Sequence, residues 1–272
     1  MKMVQITAAR YVAIVEQYNR QGVIVNDYIL GESTTLAEES RLYGICGKDN
    51  AVILVKSPVG MRVYYYINNL DERVELPQGD YVIEVLFRQA IGFSDCEVGY
   101  WERIGFKKNL VRDQYCCPIR DIIDCGRPSE ETVGPAESIG EVADACNLFN
   151  SSFDHLSGDY ISEAEFPALL AEGQILVARG KNGDILGALH HQKSEKVSWL
   201  HHLAVKSEAR GKGVGSCLCG KWIEIDRVSD KTRFMLWVQR QNAPAVSLYE
   251  KMGFKHNGKS SLSLIKRTTE NG

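Results

Sequence analysis

The stretch Arg210-Gly211-Lys212-Gly213-Val214-Gly215 separates two segments of different pattern. Residues 197–205 before it form a short β-prone run, and the apolar residues after it recur at helical spacing, at Val214, Leu218, Trp222 and Ile225. Glycines in a strand-to-helix loop let the backbone approach a ligand while its N–H groups point outward, which suits a pyrophosphate. A glycine-rich turn that binds nothing is the alternative.

Two other phosphate-binding loops fit this stretch less well. The phosphate loop of nucleotide triphosphatases needs G-x-x-x-x-G-K-[ST], which is absent from the chain. The dinucleotide fingerprint needs G-x-G-x-x-G, whereas the spacing here is Gly211-x-Gly213-x-Gly215. Neither nucleotide class is therefore indicated.

A second short pattern lies downstream of the loop. Asn242 can cap a helix, and Pro244 fits the first turn of that helix. Tyr249 follows about two turns later, and Gly253 with Phe254 matches a glycine C-cap and its trailing hydrophobic contact. The pattern predicts a short helix that carries Tyr249.

The flanking sequence predicts alternating helices and strands. Residues 138–153 and 162–171 have helical patterns, and we expect Pro167 to end or kink the second helix. The β-prone runs include an antiparallel meander and two later strands, at residues 174–179, 185–191, 197–205, 233–238 and 262–265.

These residues together resemble the GCN5-related N-acetyltransferase (GNAT) superfamily from Leu200 to Phe254, and more loosely over residues 138–267. Its acyl-CoA signature, [QR]-x-x-G-x-[GA], matches residues 210–215, and its second signature matches Asn242, Tyr249 and Gly253-Phe254. The resemblance implies an α/β fold of the α+β type, with a mixed, mostly antiparallel central sheet flanked by helices. It also implies acetyl-CoA as co-substrate, with no metal.

The resemblance assigns the acyl-CoA contacts residue by residue. Backbone amides from Lys212 to Gly215 would bind the pyrophosphate, residues 203–205 would pair with the pantetheine arm, and the Val205 amide would face the thioester carbonyl. Asn242 would hydrogen-bond the pantetheine. The cofactor-binding residues implied are Leu203, Ala204, Val205, Arg210, Gly211, Lys212, Gly213, Val214, Gly215 and Asn242.

Tyr249 matches the family's general acid, which protonates the departing CoA thiolate. The acceptor amine must lose a proton, so a base or a proton-conducting chain is needed, and His201 and His202 are candidates. Strict strand alternation would let only one of them line a given pocket, and we favour His201. His190 and His191 on the neighbouring strand could approach the same pocket.

Similar residues recur in order in the two halves of the chain. Residues 27–29 (DYI) match 159–161, residues 36–38 (LAE) match 170–172, and residues 101–107 (WERIGFK) are echoed by 249–255 (YEKMGFK). We therefore expect two GNAT-like units: a degenerate unit over residues 1–125, a linker over 126–137 and a catalytic unit over 138–272. The first lacks an acyl-CoA loop between its predicted strands, and Trp101 replaces Tyr249.

Composition narrows the class of protein and partner. Lys and Arg total 32 against 35 Asp and Glu, and the net charge of -3 includes no long run of one sign, so nucleic acid is not an expected partner. The apolar stretch between Arg10 and Glu16 is too short for a secretory signal, and no segment approaches a membrane span, so we expect a cytoplasmic protein. The eight cysteines contain no C-x-x-C pair, so we expect reduced thiols and no zinc.

The resulting hypothesis is an N-acetyltransferase that moves an acetyl group from acetyl-CoA to an amine by direct attack. A longer acyl donor, or a catalytically silent acyl-CoA sensor or assembly module, are the alternatives. The acceptor could be a small amine, an amino acid or a peptide N-terminus; a cationic acceptor would prefer acidic residues such as Glu163, Glu165 and Glu172. An exposed sheet edge could support a homodimer.

Overall fold

The computed structural model describes residues 2–124, 132–158, 160–227 and 232–268. Every helix in these ranges is too short or too polar to span a lipid bilayer. The elements of the N-terminal half are β1 (Val4–Gln5), α1 (Ala8–Tyr18), β2 (Ile24–Asn26), α2 (Ser33–Glu38), β3 (Leu42–Cys46), β4 (Ala51–Ser57), β5 (Gly60–Ile67), β6 (Tyr81–Arg88), α3 (Asp95–Glu102) and β7 (Lys107–Pro118). Those of the C-terminal half are β8 (Thr132–Pro135), α4 (Ile139–Ser152), α5 (Phe166–Ala171), β9 (Ile175–Arg179), β10 (Ile185–Lys193), β11 (Val197–Val205), α6 (Val214–Asp226), β12 (Arg233–Gln239), α7 (Ala243–Lys251) and β13 (Lys255–Lys266).

The chain divides into two compact units at boundaries that differ from those expected. The first unit contains the residues up to Val111 together with those from Ser260 onward, and the second contains Arg112–Lys259. Strands β7 and β13 each contribute residues to both units. Residues 126–131 of the expected linker lie outside the described residues, and Thr132–Pro135 form strand β8, which pairs with β9. The turn-forming composition of the stretch does not reveal this pairing.

The second unit is a mixed, mostly antiparallel sheet between two layers of helices. Its strand order is β7-β12-β11-β10-β9-β8, and only the β11–β12 pair is parallel. Helices α6 and α7 pack on one face through residues such as Leu218, Trp222 and Tyr249. Helices α4 and α5 pack on the other through residues such as Phe149 and Phe166. The expected fold class is confirmed.

Side-chain caps begin helices α4 and α5, and the prediction about Pro167 in α5 was wrong. Ser138 caps α4 by accepting from the amide of Glu141, and Ser162 and Glu165 form a capping box before α5. Pro167 does not end or kink α5, because it stands in the first turn, where its missing N–H costs no helical hydrogen bond.

The first unit repeats the plan of the second. Strands β3, β4 and β5 form an antiparallel meander, β5 then pairs in parallel with β6, and α3 follows. The glycine turns after α3 and α7 also correspond: Gly105 has φ +98° and Gly253 has φ +92°. In each, the following Phe amide donates to a carbonyl one helical turn back, Trp101 at 3.1 Å and Tyr249 at 3.0 Å. The expected internal repeat is confirmed.

A hydrogen-bonded segment replaces the loop and helix between the parallel strands of the first unit. Residues 68–80 contain no helix. The Glu72 carboxylate accepts from the amides of Lys48, Asp49 and Asn50 at 2.7, 2.9 and 2.7 Å. The buried Asn50 side chain donates to the carbonyls of Asn69 and Glu72 at 2.7 and 3.0 Å. Internal partners therefore satisfy these backbone groups.

Candidate active site

The parallel strands β11 and β12 diverge to form a fork. Their ladder joins residues 197–200 to residues 233–236 and ends at Leu200 opposite Leu236. Beyond this point β12 remains paired on its other side with β7 as far as Gln239, and β11 remains paired with β10 as far as Val205. The inner edges of the two strands therefore face a gap beside the glycine loop.

A β-bulge at His201 lies where the fork opens. His190 pairs with His202, whereas the next residue, His191, pairs with Leu200, so His201 is the extra residue on β11. The bulge breaks the strict alternation of side chains that the sequence argument assumed. Leu200 faces α6 and His202 faces α4, while His201 is exposed.

The hydrogen-bond pattern directs the backbone of Leu203 and Val205 into the fork. The Lys206 amide donates to the Leu186 carbonyl at 2.9 Å, in register with Val205 opposite Gly187. Since alternate residues of an antiparallel strand bond to the same neighbour, the N–H and C=O groups of Leu203 and Val205 point away from β10. This edge can accept an added strand.

The glycine loop ends at the uncapped beginning of α6. Gly211 and Gly213 have φ of +76° and +93°, which side-chain-bearing residues rarely adopt. Gly213 is the N-cap and offers no side-chain acceptor, so the first amides of α6 lack helical partners. Arg210 closes the loop, because its Nε donates to the Val205 carbonyl at 3.0 Å. The arrangement can hold an anion at the helix N-terminus.

Close packing of the α6 N-terminus on β10 fixes its position. A Cβ at Gly187 would lie 2.9 Å from Val214 Cγ1 and 3.2 Å from Leu218 Cδ1, so only glycine permits this approach. A Cβ at Gly215 would meet nothing closer than Leu248 Cδ2 at 3.6 Å. Gly187 is a positioning residue that the sequence analysis missed, and an isolated Gly within a predicted strand was its signal.

Tyr249 lies in α7 on the same face of the sheet as α6 and is 4% exposed. Burial raises the pKa of its phenol well above 10, and the neighbouring Cys219 thiol adds to the effect. The hydroxyl therefore stays protonated at neutral pH and can donate a hydrogen bond. Asn242 caps α7 by accepting from the Ala245 amide at 3.2 Å, which leaves its side-chain NH₂ as the donor toward a ligand.

The four candidate histidines separate into two sites. His190, His201 and His202 lie together: the ring centroids of His190 and His201 are 4.9 Å apart, and the Nδ1 atoms of His190 and His202 are 3.3 Å apart. His202 is buried against Phe149. Burial, together with the neighbouring histidines, lowers the pKa of His190 to about 2.

His191 belongs to a separate buried network on the α6 side. Its Nδ1 lies 2.7 Å from the Asp226 carboxylate, which also accepts from Ser198 Oγ at 2.6 Å; Trp222 Nε1 donates to that Oγ at 2.7 Å. Burial acts to raise the pKa of Asp226, but the hydrogen bonds from His191 and Ser198 outweigh it and hold the pKa below its ordinary value. His191 therefore does not share the pocket of the other histidines.

The segment after α4 connects the α4 side of the fork to two strands. Ser157 accepts a hydrogen bond from the Arg112 guanidinium of β7, and Gly158 accepts one from His202 Nε2 of β11 at 2.9 Å. Arg112 and Gly158 are site residues that the sequence analysis missed. No local pattern identifies them, because the contacts join residues 45 and 44 positions apart.

The chain resembles known acetyltransferases in both sequence and fold. Residues 142–254 match the sequence model of the Acetyltransferase (GNAT) family. A Methanocaldococcus jannaschii protein named as an uncharacterized N-acetyltransferase is 30% identical over 77 residues, which are 28% of this chain and span 34% of that protein.

Two solved structures share the fold. A GCN5-related N-acetyltransferase from Sphaerobacter thermophilus has a TM-score of 0.56 at 13% identity over 80% of this chain and 76% of its own. A tandem GNAT protein from the clavulanic acid biosynthesis pathway has a TM-score of 0.57 at 9% identity, over 100% of this chain and 99% of its own. Residues 142–254 therefore form a GNAT-family domain, and the chain shares its fold with a tandem GNAT protein.

Proposed function

We propose that the second unit is an N-acetyltransferase that uses acetyl-CoA and an amine acceptor in a ternary complex. The observation that carries this proposal is the convergence of two features at Val205: the outward-facing backbone of β11 at the fork, and the uncapped N-terminus of α6 after the glycine loop. A CoA thioester offers one partner for each, an extended amide-bearing arm and a pyrophosphate.

In this proposal the donor binds along the fork. The pantetheine amides pair with the N–H and C=O groups of Leu203 and Val205, as a strand would, with Ala204 between them. The pyrophosphate receives N–H groups from Lys212, Gly213, Val214 and Gly215, where the helix dipole adds favourable charge. Arg210 and Gly211 shape the loop. The Asn242 NH₂ group donates to the pantetheine.

The transfer needs no covalent enzyme intermediate. The amine nitrogen attacks the thioester carbonyl, the Val205 N–H stabilises the oxyanion that forms, and the carbon–sulfur bond then breaks. The thiolate takes a proton and the amine loses one, so the protons balance. Tyr249 donates to the leaving sulfur. Because a phenol of raised pKa is a weaker acid than a thiol near pKa ~8.5, its main contribution is a hydrogen bond as negative charge develops on sulfur.

We assign the removal of a proton from the acceptor amine to the histidine group formed by His190, His201 and His202. His201 is exposed and lies at the opening of the fork, so solvent can remove a proton from it. His190 and His202 lie on the face that holds α4, where His202 packs on Phe149, so we place the acceptor amine on that face. This side contains aromatic and imidazole groups, which suit an uncharged primary amine at the moment of attack.

Turnover with a panel of amines tests the proposed function. Small aryl-alkyl amines, amino acids, a peptide N-terminus and a polyamine should be offered with acetyl-CoA, and CoA release should be measured as free thiol. Acetylation of at least one amine, confirmed by mass, is expected. Binding of acetyl-CoA with no transfer to any amine would favour the silent sensor or assembly module, and faster transfer from longer acyl-CoA chains would favour a different acyl donor.

A further inference from the structure

The hydrogen bonds of His190 and His202 fix the position of each proton in this imidazole pair. His202 Nε2 lies 2.9 Å from the Gly158 carbonyl, which can only accept, so Nε2 of His202 carries a proton. In neutral His202, Nδ1 is then an acceptor. His190 Nδ1 lies 3.3 Å from it and must be the donor, so His190 presents an unprotonated Nε2.

The ring geometry supports a hydrogen bond between the two Nδ1 atoms. The rings are nearly parallel, with 9° between their planes, and their centroids are 5.5 Å apart. A separation of 3.3 Å between the Nδ1 atoms means that these atoms point toward each other along the line of centres. The rings therefore lie edge to edge, and a proton can pass between them.

We propose that His190, on β10, receives the proton of the acceptor amine at Nε2 and passes charge to His202 through their shared hydrogen bond. This inference rests on the proposed function. The amine nitrogen releases a proton to His190 Nε2, and the Nδ1 proton of His190 moves to His202 Nδ1. His190 ends neutral with its proton on Nε2, and His202 becomes an imidazolium with both nitrogens protonated.

His202 is the better place for the positive charge. Its Nε2–H donates to the Gly158 carbonyl, and charge strengthens that hydrogen bond. The rings of Phe149 and Phe153 lie 5.2 and 5.3 Å from its centroid, where aromatic faces attract a cation. By contrast, burial and the neighbouring histidines hold the pKa of His190 far below its ordinary value. His190 therefore conducts the proton and does not retain it.

His201 has a different role in the relay from that of the base, which its position in the sequence favours. Its exposed ring lies 4.9 Å from that of His190, centroid to centroid. It can return the proton from His190 to solvent after each turnover. The relay therefore runs through two adjacent strands, and the bulge at His201 is what places the solvent-facing ring beside it.

Nitrogen NMR of the imidazoles tests the proton positions without reference to activity. In protein labelled with ¹⁵N-histidine at pH 7, we expect His190 as the Nδ1–H tautomer and His202 as the Nε2–H tautomer. Loss of signals in His190→Asn and His202→Asn variants assigns them. A protonated His190, or His190 as the Nε2–H tautomer, would overturn the relay.

Kinetics of His190→Asn tests the catalytic role. The Asn side-chain NH₂ can replace Nδ1–H as donor to His202, but Asn has no group at Nε2, so kcat/KM should fall about 10²-fold while the melting temperature and acetyl-CoA binding stay unchanged. His190→Asn and His202→Asn should not be additive, because both break one relay. The control His155→Asn, which removes a histidine outside the pair, should stay within about two-fold of wild type.

The outcomes separate the relay from the proposed function. Wild-type turnover that His190→Asn leaves intact would overturn the relay alone. A wild-type protein that binds acetyl-CoA and acetylates no amine would overturn the proposed function, and the relay with it. A loss of activity in His190→Asn together with a lower melting temperature would mark a structural role and count against the relay.

Discussion

The paired glycines Gly105 and Gly253 allow one prediction to be worked from geometry. Both end a helix at nearly the same positive φ, +98° and +92°. A Cβ at Gly105 would lie 3.7 Å from the flexible Lys266 side chain, which is an ordinary contact. A Cβ at Gly253 would lie 2.3 Å from the Asp121 carbonyl oxygen, and backbone cannot move aside cheaply. Alanine would therefore adopt an unfavourable positive φ at both sites, but it would clash with the backbone only at Gly253.

Replacement of each glycine by alanine should therefore have unequal effects. The positive φ costs about 1–2 kcal/mol at either position. Overpacking against the backbone adds about 1–3 kcal/mol at Gly253 alone. Gly105→Ala should lower the free energy of unfolding by about 1–2 kcal/mol, and Gly253→Ala by about 2–5 kcal/mol.

Urea denaturation followed by far-ultraviolet circular dichroism measures this difference. The unfolding midpoint of Gly253→Ala should fall clearly below that of Gly105→Ala. If the chain unfolds in two steps, one for each unit, each variant should shift a different step. Equal shifts, or a larger shift for Gly105→Ala, would show that the close contact with the Asp121 carbonyl does not destabilise the Gly253 variant.

Three further predictions concern catalysis, pH and the first unit. Tyr249→Phe should lower kcat at least about ten-fold without weakening acetyl-CoA binding, as measured by calorimetry. An unchanged kcat would show that Tyr249 takes no part in the reaction. The pKa of His190 is about 2 in the folded protein and near 6.5 in the unfolded protein, so the unfolded state binds more protons below about pH 6.5. The free energy of unfolding of the wild type should therefore fall from pH 7 to pH 5. That of His190→Asn should fall less over the same range. Urea midpoints at each pH check this, and parallel curves would contradict it. Glu72→Ala removes the carboxylate that accepts from three backbone amides, and it should lower the free energy of unfolding by about 2–4 kcal/mol in the same denaturation assay. A decrease under about 0.5 kcal/mol would show that water replaces the carboxylate as acceptor.

Local patterns identified most elements of the second unit because their signals are short-range. The run at residues 197–205 matches β11, and the caps at Asn242 and Gly253 bound α7 as expected. The prediction that Pro167 ends or kinks α5 was wrong, because proline breaks a helix in its interior but is tolerated in its first turn. Strand β13 extends over Lys255–Lys266, where only 262–265 were expected, since Gly258 and Lys259 weaken its β pattern.

The arrangement of the histidines could not be predicted from the sequence. Alternation along a strand assigns His201 and His202 to opposite faces, but one extra residue in the ladder changes which neighbours face which helix. The pairing of His190 with His202, and of His191 with Asp226, depends on register between strands and on a helix distant in sequence. Tertiary register alone makes this distinction.

Gly215→Glu tests acetyl-CoA binding at the α6 N-terminus with little structural cost. Gly215 does not need a positive φ, a Cβ there meets only ordinary contacts, and a carboxylate in the first turn favours the helix. The same carboxylate should repel a pyrophosphate.

The measurement is the melting temperature of wild type and Gly215→Glu with and without acetyl-CoA. At ~100 times the dissociation constant, binding adds about 2.7 kcal/mol, which raises the melting temperature by about 5–10 °C. We expect that rise in the wild type and none in Gly215→Glu, with equal melting temperatures in the absence of ligand. An equal rise in both proteins, or no rise in the wild type, would contradict this expectation.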